Sequence, residues 1–186
     1  MISITCVLAN KKVIVFLVKF FSAYIILSLI YNVFLNHFKN NNTENKVDSI
    51  TEIVSDHTIK LAQVLNLPIK TNNHESEQSI KLFYNDSYVA KIVEGCNSMS
   101  IIILFWAFIF AFSGSLKATL IFGLFGSLII YIINLIRIIL LTKWLYEFPN
   151  YYDFLHKVVF PLIIYGTTMV LWVIWVTYLA KKESKS

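Results

Sequence analysis

The sequence predicts an all-α integral membrane protein with about four transmembrane helices, and an extracytoplasmic loop that carries a short amphipathic helix and a candidate β-hairpin. Its 186 residues are 57% hydrophobic and only 15% charged, whereas soluble domains average roughly 25% charged residues. Four apolar runs approach or exceed the ~20 residues that cross a hydrocarbon core. The net charge of +5 comes largely from short lysine clusters beside these runs. No nucleic-acid-binding motif accompanies them, so we expect no nucleic-acid partner.

The predicted spans cover residues 13–35, 95–112, 118–144 and 158–180 of one membrane domain, 1–186. The first run has the basic-then-apolar order of a signal peptide. It is longer than a usual apolar core and no small-x-small cleavage site follows it, so it predicts an uncleaved signal anchor. The second span is minimal in length and the third is longer than a crossing requires. The sequence SGSLK (113–117) between them predicts a tight turn, so these two helices should form a hairpin.

The lysines predict the orientation in the membrane. Under four spans, one side collects the lysines of all the short flanks, namely Lys11, Lys12, Lys117, Lys181, Lys182 and Lys185. The positive-inside rule makes that side cytoplasmic. We therefore expect a multi-pass protein of the inner membrane, in contact with the lipid bilayer, with both termini in the cytoplasm. The loop 36–94 then faces the periplasm, although a loop of this length constrains orientation only weakly.

The long loop contains its own secondary-structure signals. SITE (49–52) matches a capping box, and a helix should follow that ends before Pro68. Its predicted apolar face consists of Ile50, Ile53, Val54, Leu61, Val64 and Leu65, and this face could lie on the membrane surface. SIKLFYNDSYVAKIVEG (79–95) then predicts two short strands around Asn85 and Asp86. That hairpin runs directly into Cys96, so its fold should fix where the cysteine lies.

Cys96 stands where the polar loop meets the second apolar run, in VEGCNSMS (93–100). Neither it nor Cys6 belongs to a CxxC or Cys/His cluster, so we expect neither a metal site nor a disulfide framework. No nucleotide motif is present, so we expect no cofactor. A cysteine in such a place is commonly inert packing, but a helix N-terminus at Cys96 would favour a thiolate. Gly95, which would let a substrate backbone approach, and Asn97 are taken as supporting residues.

Arg137 is the one arginine of the chain and lies inside the third apolar run. An arginine within a membrane span costs roughly 2.5 to 3.5 kcal/mol on insertion scales, so it needs a partner or a purpose. It either snorkels to the headgroups or has a functional position. Asn134 lies three residues earlier on the same helical face, where it could orient the guanidinium or pair with a neighbouring helix. In either case we expect this face to look inward.

Among the four histidines, His37, His57 and His74 lie in the polar loop or at its edge, where a solvated histidine needs no explanation. His156 instead stands immediately before the fourth span, in YYDFLHKVVFP (151–161). It is either an interfacial residue of an aromatic belt or a functional group.

The four-span topology places Cys96, Arg137 and His156 at the same outer membrane depth on three different helices. If they meet, they have the groups needed for acyl transfer. The imidazole would take the thiol proton, the thiolate would attack a peptide carbonyl, and the guanidinium would stabilise the oxyanion or hold a substrate carboxylate. Residue physics alone leaves two alternatives open, a membrane cysteine peptidase and a non-catalytic helix bundle.

The motif set resembles the exosortase/archaeosortase family of integral-membrane sorting enzymes, and most of all the exosortase F type of Bacteroidetes. The resemblance rests on EGCNSMS (94–100), an aromatic-rich apolar helix ending in AFIFAFSG (107–114), NLIRI (134–138) and a lone histidine before the last span. It covers roughly residues 93–165. It implies Cys96 as nucleophile, Arg137 as the family arginine, His156 as the proton-transfer residue and Asn134 as a supporting residue.

The same resemblance implies a cysteine-dependent transpeptidase reaction at the outer face of the inner membrane. Its protein substrates would carry a C-terminal sorting signal made of a short motif, a hydrophobic helix and a basic tail. The chain is shorter than full-length exosortases, so we expect part of the substrate-binding surface to be missing or supplied by an accessory membrane protein. The alternative function is a non-catalytic scaffold or accessory subunit of an export or envelope assembly system. A small transporter is disfavoured because charge inside the spans is nearly confined to Lys19 and Arg137.

Overall fold

A computed structural model describes residues 11–39, 47–112 and 114–183. Its helices are α1 (Lys11–Lys39), α2 (Ser49–Val64), α3 (Met99–Ala111), α4 (Leu116–Glu147) and α5 (Phe160–Glu183), and its strands are β1 (Ile69–Asn73), β2 (Ile80–Tyr84) and β3 (Ser87–Ile92). Short helical turns at Glu94–Cys96, Pro149–Tyr151, Tyr152–Phe154 and Leu155–Val159 precede α3 and α5. Predictions that concern Cys6, residues 40–46, Ser113 and Lys185 fall outside the described residues.

Three helical segments of the described residues are long and apolar enough to cross a membrane: Val13–His37, Leu116–Glu147 and Pro149–Tyr178. The second predicted span is shorter than expected, because α3 has only 13 residues. At 1.5 Å per residue it is about 20 Å long, whereas a hydrocarbon core is about 30 Å thick. The apolar run overestimated this helix because residues 95–98 lie in the short turn Glu94–Cys96 and in a bend after it, before the α-helix begins. The prediction of about four spans is therefore supported for three helices and unsupported by length for α3.

Helix α3 lies at the centre of the bundle and packs against α1, α4 and α5. It runs antiparallel to α1, since Phe16 contacts Phe112 at one end (ring centroids 4.7 Å apart) and Tyr31 bonds Asn97 at the other. It also runs antiparallel to α4, as the predicted tight turn between spans two and three requires. The exposed apolar side chains of α1, such as Val33 at 67% exposure, are typical of a surface that contacts lipid.

Close packing between α3 and α4 depends on two glycines of α4. A Cβ at Gly123 would lie 2.2 Å from the ring of Trp106, and one at Gly126 would lie 2.3 Å from the ring of Phe105. The bundle core is an aromatic and aliphatic cluster formed by α3, α4 and α5, made of Phe105, Ile109, Ile130, Ile164, Leu171 and Trp175. Small residues at helix interfaces allow this approach, as in membrane bundles generally.

The loop folds into a small α/β layer, which differs from the all-α expectation. Strands β2 and β3 form the predicted hairpin, and the turn residues Asn85 and Asp86 both have left-handed φ values, 48° and 61°. These values suit a type I′ turn, whose twist matches that of the strands. β1 adds a third antiparallel strand in the order β1-β2-β3. It was not predicted, because IKTNN alternates too weakly to indicate a strand.

A second hydrophobic core, the loop core, joins this layer to the C-terminal half of α4. It contains Val47, Val54, Ala62, Ile69, Ile80, Leu82, Tyr84, Ala90, Ile92, Leu135, Ile138, Ile139, Leu141, Leu145, Leu155 and Phe160. The sheet side chains in it alternate along β2, as a half-buried strand requires. Helix α4 therefore belongs to both cores, the bundle core along its first half and the loop core along its second.

Helix α2 lies in the predicted place but buries a different face. Its N-cap is Asp48, whose side chain accepts a hydrogen bond from Thr51 N at 2.9 Å, so the predicted Ser49 cap is wrong by one residue. The helix ends at Val64, before Pro68, as predicted. In the predicted apolar face, Val54 is buried, whereas Ile53 and Val64 are 50% and 77% exposed, so the contact of this face with a membrane surface stays a prediction. The buried residues are the smaller Thr51, Val54, Ser55, Thr58 and Ala62, whose size lets α2 pack closely on α4.

Candidate active site

Cys96 ends the helical turn Glu94–Cys96, which connects β3 to α3. Its thiol is free and half-buried, and its N–H donates to Val93 O at 2.8 Å. The expectation that an α-helix begins at Cys96 is wrong, because α3 begins at Met99. The cysteine therefore lies between the end of β3 and the start of α3, and the loop core holds β3 in place.

Asn97 fixes the chain between the cysteine and α3. It is 2% exposed, and its Oδ1 accepts a hydrogen bond from Met99 N at 3.0 Å. Its Nδ2 donates to the hydroxyl of Tyr31 on α1, also at 3.0 Å. Ser98 adopts a left-handed φ of 63°, a conformation that is uncommon outside glycine, asparagine and aspartate. Asn97 is thus a structural clamp beside Cys96, and Tyr31 is a partner that the sequence did not reveal.

Asn134 and Arg137 bring α4 to the same turn. Asn134 is fully buried; its Nδ2 donates to the backbone carbonyl of Cys96 at 2.8 Å, and its Oδ1 accepts a hydrogen bond from Arg137 Nη1 at 3.2 Å. Arg137 is half-buried, and its Nε is buried without a hydrogen-bond partner among the described residues. The prediction that this helical face looks inward is confirmed, and Asn134 does both things proposed for it, orienting the guanidinium and pairing with a neighbouring segment.

Gly95 leaves open space beside the thiol. The residue is exposed, and a Cβ added to it would have nothing within 4 Å. Its φ does not lie in the left-handed region, so its backbone conformation does not demand glycine. Its role as a supporting residue stays a prediction.

His156 lies apart from Cys96 and Arg137. Its ring is exposed and stacks on Tyr152, with centroids 5.6 Å apart. Beside it, Lys157 bonds Asp153 at 2.7 Å; this ion pair lowers the pKa of the Asp153 carboxyl and raises that of the Lys157 ammonium. Within the part of the chain that the structure describes, His156 forms no hydrogen bond with either of the other two predicted catalytic residues.

The antiparallel pairing of α4 and α5 gives the separation between His156 and Arg137 along the helix axes. Trp144 contacts Phe160, with ring centroids 6.3 Å apart. His156 lies one helical turn before Phe160 in the chain, on one side of this contact. Arg137 lies two turns before Trp144 on α4, and because the helices are antiparallel it is on the opposite side of the contact. About 16 Å of helical rise therefore separates them. The course of β3 is consistent with this separation. Ser87, at the start of the strand, lines a cleft with Pro149 and Tyr152, and the chain then leads away from that cleft to Cys96. Cys96 and Arg137 lie at one level of α4, and the structure does not bring His156 to that level.

A different histidine lies close to the turn. His57 Nδ1 is 2.7 Å from the hydroxyl of Tyr131 on α4, and the two rings meet edge to face with centroids 5.9 Å apart. Tyr131 is one helical turn before Asn134. No sequence pattern indicates this contact, because a histidine in a polar loop is usually solvated and Tyr131 is 74 residues away from His57 along the chain.

In the part of the chain that the structure describes, no group of three or more His, Cys, Asp or Glu side chains could hold a metal ion. Three groups lie around the turn Glu94–Cys96: the half-buried thiol of Cys96, the buried amide of Asn134 and the guanidinium of Arg137, whose Nε has no hydrogen-bond partner among the described residues. A nucleophile next to a cationic donor is the arrangement that stabilises a developing oxyanion.

Comparisons with protein-family models, curated proteins and solved structures found no match to this chain. The resemblance to exosortases therefore stays a prediction from the motif set.

Proposed function

We propose that the chain is a membrane-embedded cysteine peptidase or transpeptidase that removes C-terminal sorting signals from exported proteins at the outer face of the inner membrane. The observation that carries this proposal is the amide of Asn134, which bonds the Cys96 carbonyl and Arg137 at once. Through Asn134, the backbone of Cys96 in the turn Glu94–Cys96 and the guanidinium of Arg137 on α4 share one amide. The motif resemblance adds the reaction class and the kind of substrate.

In the proposed reaction, Cys96 Sγ loses its proton to an imidazole and attacks the carbonyl carbon of the sorting motif. Arg137 stabilises the oxyanion of the tetrahedral intermediate. The peptide C–N bond then breaks, the imidazole returns the proton to the departing amine, and a thioester remains on Cys96. An acceptor nucleophile, either water or an amine, resolves the thioester. The motif resemblance designates His156 as the imidazole.

The proposal includes a membrane arrangement. Helices α1, α4 and α5 cross the bilayer, α3 crosses beside them as a fourth, short span, and both termini lie in the cytoplasm. The antiparallel packing of α3 along α1, from Phe112 to Asn97, supports this. The loop core then stands on the periplasmic side and holds Cys96 at the outer membrane boundary, where a substrate with a hydrophobic helix would present its motif.

The test uses exported proteins of the same genome that end in a short motif, a hydrophobic helix and a basic tail, each co-expressed with the chain. We expect the tail to be cleaved with the wild type and retained with Cys96→Ala, because the nucleophile is gone. Mass spectrometry of the substrate's new C-terminus reports cleavage. Cys6→Ser is the matched control and should cleave normally. Tail removal by Cys96→Ala at the wild-type rate would sink the proposal.

A non-catalytic scaffold is the second candidate, and the position of His156 favours it. The segment that precedes His156 exposes large aromatic side chains, Phe148, Tyr151, Tyr152 and Phe154. Such side chains are typical of protein contacts and membrane interfaces. A scaffold should retain its cellular function with Cys96→Ser, and its thiol should react slowly with membrane-impermeant maleimide. The peptidase predicts the opposite result in both measurements.

A further inference from the structure

His57 and Tyr131 form a contact that the proposed reaction has not used. The Nδ1 atom of His57 is held by the Tyr131 hydroxyl at 2.7 Å, and the edge-to-face contact of the rings fixes the plane of the imidazole. Among the described residues the opposite ring nitrogen, Nε2, has no hydrogen-bond partner. An imidazole whose one nitrogen is oriented by a third group while the other stays available is the arrangement of a general base.

The contact lies one helical turn from the residue that bonds Cys96. Tyr131 and Asn134 are three residues apart on one face of α4, where Cβ atoms are about 5–6 Å apart. Tyr131 holds the imidazole of His57, and Asn134 holds the backbone carbonyl of Cys96. Helix α2 also packs against the turn Glu94–Cys96, and both Tyr131 and Cys96 border the loop core. The imidazole of His57 and the backbone of Cys96 are therefore held by neighbouring residues on one face of α4.

We infer that His57, oriented by Tyr131, is the proton acceptor for the Cys96 thiol, in place of His156. This inference rests on the proposed function. The geometry favours it because about 16 Å of helical rise separates His156 from the level of Arg137, whereas His57 reaches the helical turn adjacent to Asn134.

The proton balance of the reaction then closes on His57. Its Nδ1–H donates to the Tyr131 oxygen, which leaves the Nε2 lone pair to accept the thiol proton. The imidazolium so formed keeps its Nδ1 bond to Tyr131 and returns the Nε2 proton to the amine of the leaving peptide. When water or an acceptor amine attacks the thioester, Nε2 accepts the second proton and passes it to the Cys96 sulfur as the C–S bond breaks. His57 ends each cycle in the form in which it began, and no further reactant is needed.

The experiment measures the ionisation of Cys96 directly and needs no substrate. The full chain, with Cys6→Ser so that Cys96 is its single cysteine, is alkylated with iodoacetamide at pH 6.5 and pH 9.5, and the rate is followed by mass spectrometry. At pH 9.5 a thiol ionises without help, so this rate reports access alone. At pH 6.5 the rate depends on the imidazole that takes the proton.

We expect His57→Gln to lower the rate at pH 6.5 by about tenfold and to leave the rate at pH 9.5 within about twofold. Tyr131→Phe should give a smaller loss at pH 6.5 because it frees the ring without removing it. His74→Gln, in the loop between β1 and β2 where its ring bonds Ser76, is the matched control and should change neither rate. His156→Gln tests the residue that the motif resemblance designates, and we expect no selective loss at pH 6.5. Besides Tyr131 and Cys96, the elements packed against α2 carry the ionisable groups Lys117, Arg137, Lys143, Tyr146 and Glu147 of α4, Glu94 of the turn and Lys70 of β1. None of these groups is changed in the variants.

An unchanged rate at pH 6.5 in His57→Gln would overturn the inference, and so would an equal fall at both pH values, which indicates altered access. A selective loss at pH 6.5 in His156→Gln would return the role to that residue. These outcomes are separate from the failure of the proposed function. If tail cleavage requires Cys96 but alkylation ignores His57, the peptidase stands and only the base is wrong; if cleavage survives Cys96→Ala, the peptidase itself is wrong.

Discussion

Asn134 is the residue on which the candidate site depends most. It is fully buried, and both ends of its amide are bonded, one to the Cys96 carbonyl and one to Arg137. Satisfied buried amides stabilise a structure modestly, but removing one strands its partners, and each stranded polar group costs about 1–3 kcal/mol. The residue therefore matters more for what its loss leaves unpaired than for the bonds themselves.

We predict that Asn134→Ala lowers the free energy of unfolding by about 2–3 kcal/mol, measured by thermal unfolding in detergent. Thr142→Ala, on the same helix, is the control. Thr142 is equally buried, but its hydroxyl bonds only Ile138 O of its own helix, so we expect a loss nearer 1 kcal/mol. Equal losses in the two variants would show that the Cys96 carbonyl and Arg137 do not depend on Asn134.

At this scale the sequence revealed the residues that contrast with their surroundings. Arg137 and Asn134 stand out because polar groups are costly in an apolar run, and their spacing of three places them on one face. His57 and Tyr31 do not stand out, because a loop histidine and a tyrosine near the end of a span are ordinary. Their contacts lie 74 and 66 residues away along the chain, so only the folded structure reveals them.

Among the elements, the pair α3 and α4 is the most closely packed part of the bundle. Trp106 and Phe105 of α3 occupy the space that side chains at Gly123 and Gly126 would need. Trp106 also donates from Nε1 to Ser127 Oγ at 2.9 Å. Moving either ring would disturb both the packing and this bond, so the interface tolerates little added volume.

We predict that Gly123→Ala and Gly126→Ala each destabilise the bundle by about 1–3 kcal/mol, the usual cost of overpacking. Gly166→Ala, on α5, is the matched control, since a Cβ there meets nothing within 4 Å. An alanine in that open helical position should be neutral or stabilise by up to about 1 kcal/mol. Thermal unfolding of the three variants in one detergent compares them. A loss in Gly166→Ala as large as in the other two would point to a general effect of helix glycines.

Element boundaries were predictable where one physical signal dominates. The long apolar runs marked α1, α4 and α5 to within a few residues, and the turn residues marked the β2–β3 hairpin. The buried face of α2 could not be predicted, because close approach to α4 selected small threonines and serines over the larger Ile53 and Val64. β1 was missed because its strand conformation depends on pairing with β2 more than on its own residues.

The whole molecule is two cores stacked along one helix. The 32 residues of α4 extend about 48 Å, and the loop core packs around the second half of this length. The sequence predicts that span three ends and span four begins near the level of Cys96, whereas both helical segments continue well beyond that level. His156 therefore lies apart from Cys96 and Arg137.

The orientation of this arrangement is a prediction for cells. A reporter fused after Ser186 should act as cytoplasmic, because the lysine-rich flanks stay inside. The same reporter inserted between Asn85 and Asp86 should act as periplasmic, since that turn belongs to the loop core. Two reporters are used at each site: a fluorescent protein, which is active in the cytoplasm, and an alkaline phosphatase, which is active in the periplasm. Either location is then reported by an active reporter. A periplasmic signal after Ser186 would contradict the four-span arrangement.

Strand β3 has a mechanical consequence. Its six residues lead from the Asn85–Asp86 turn toward the cysteine over about 20 Å, with one register shift opposite Leu82 and Phe83. The turn is exposed and far from the thiol, yet a force applied to it is transmitted along the strand to Cys96. A nanobody that grips the turn should therefore change how fast the thiol reacts without covering it. A partner protein that docks on the same turn would have the same means of switching the cysteine on or off.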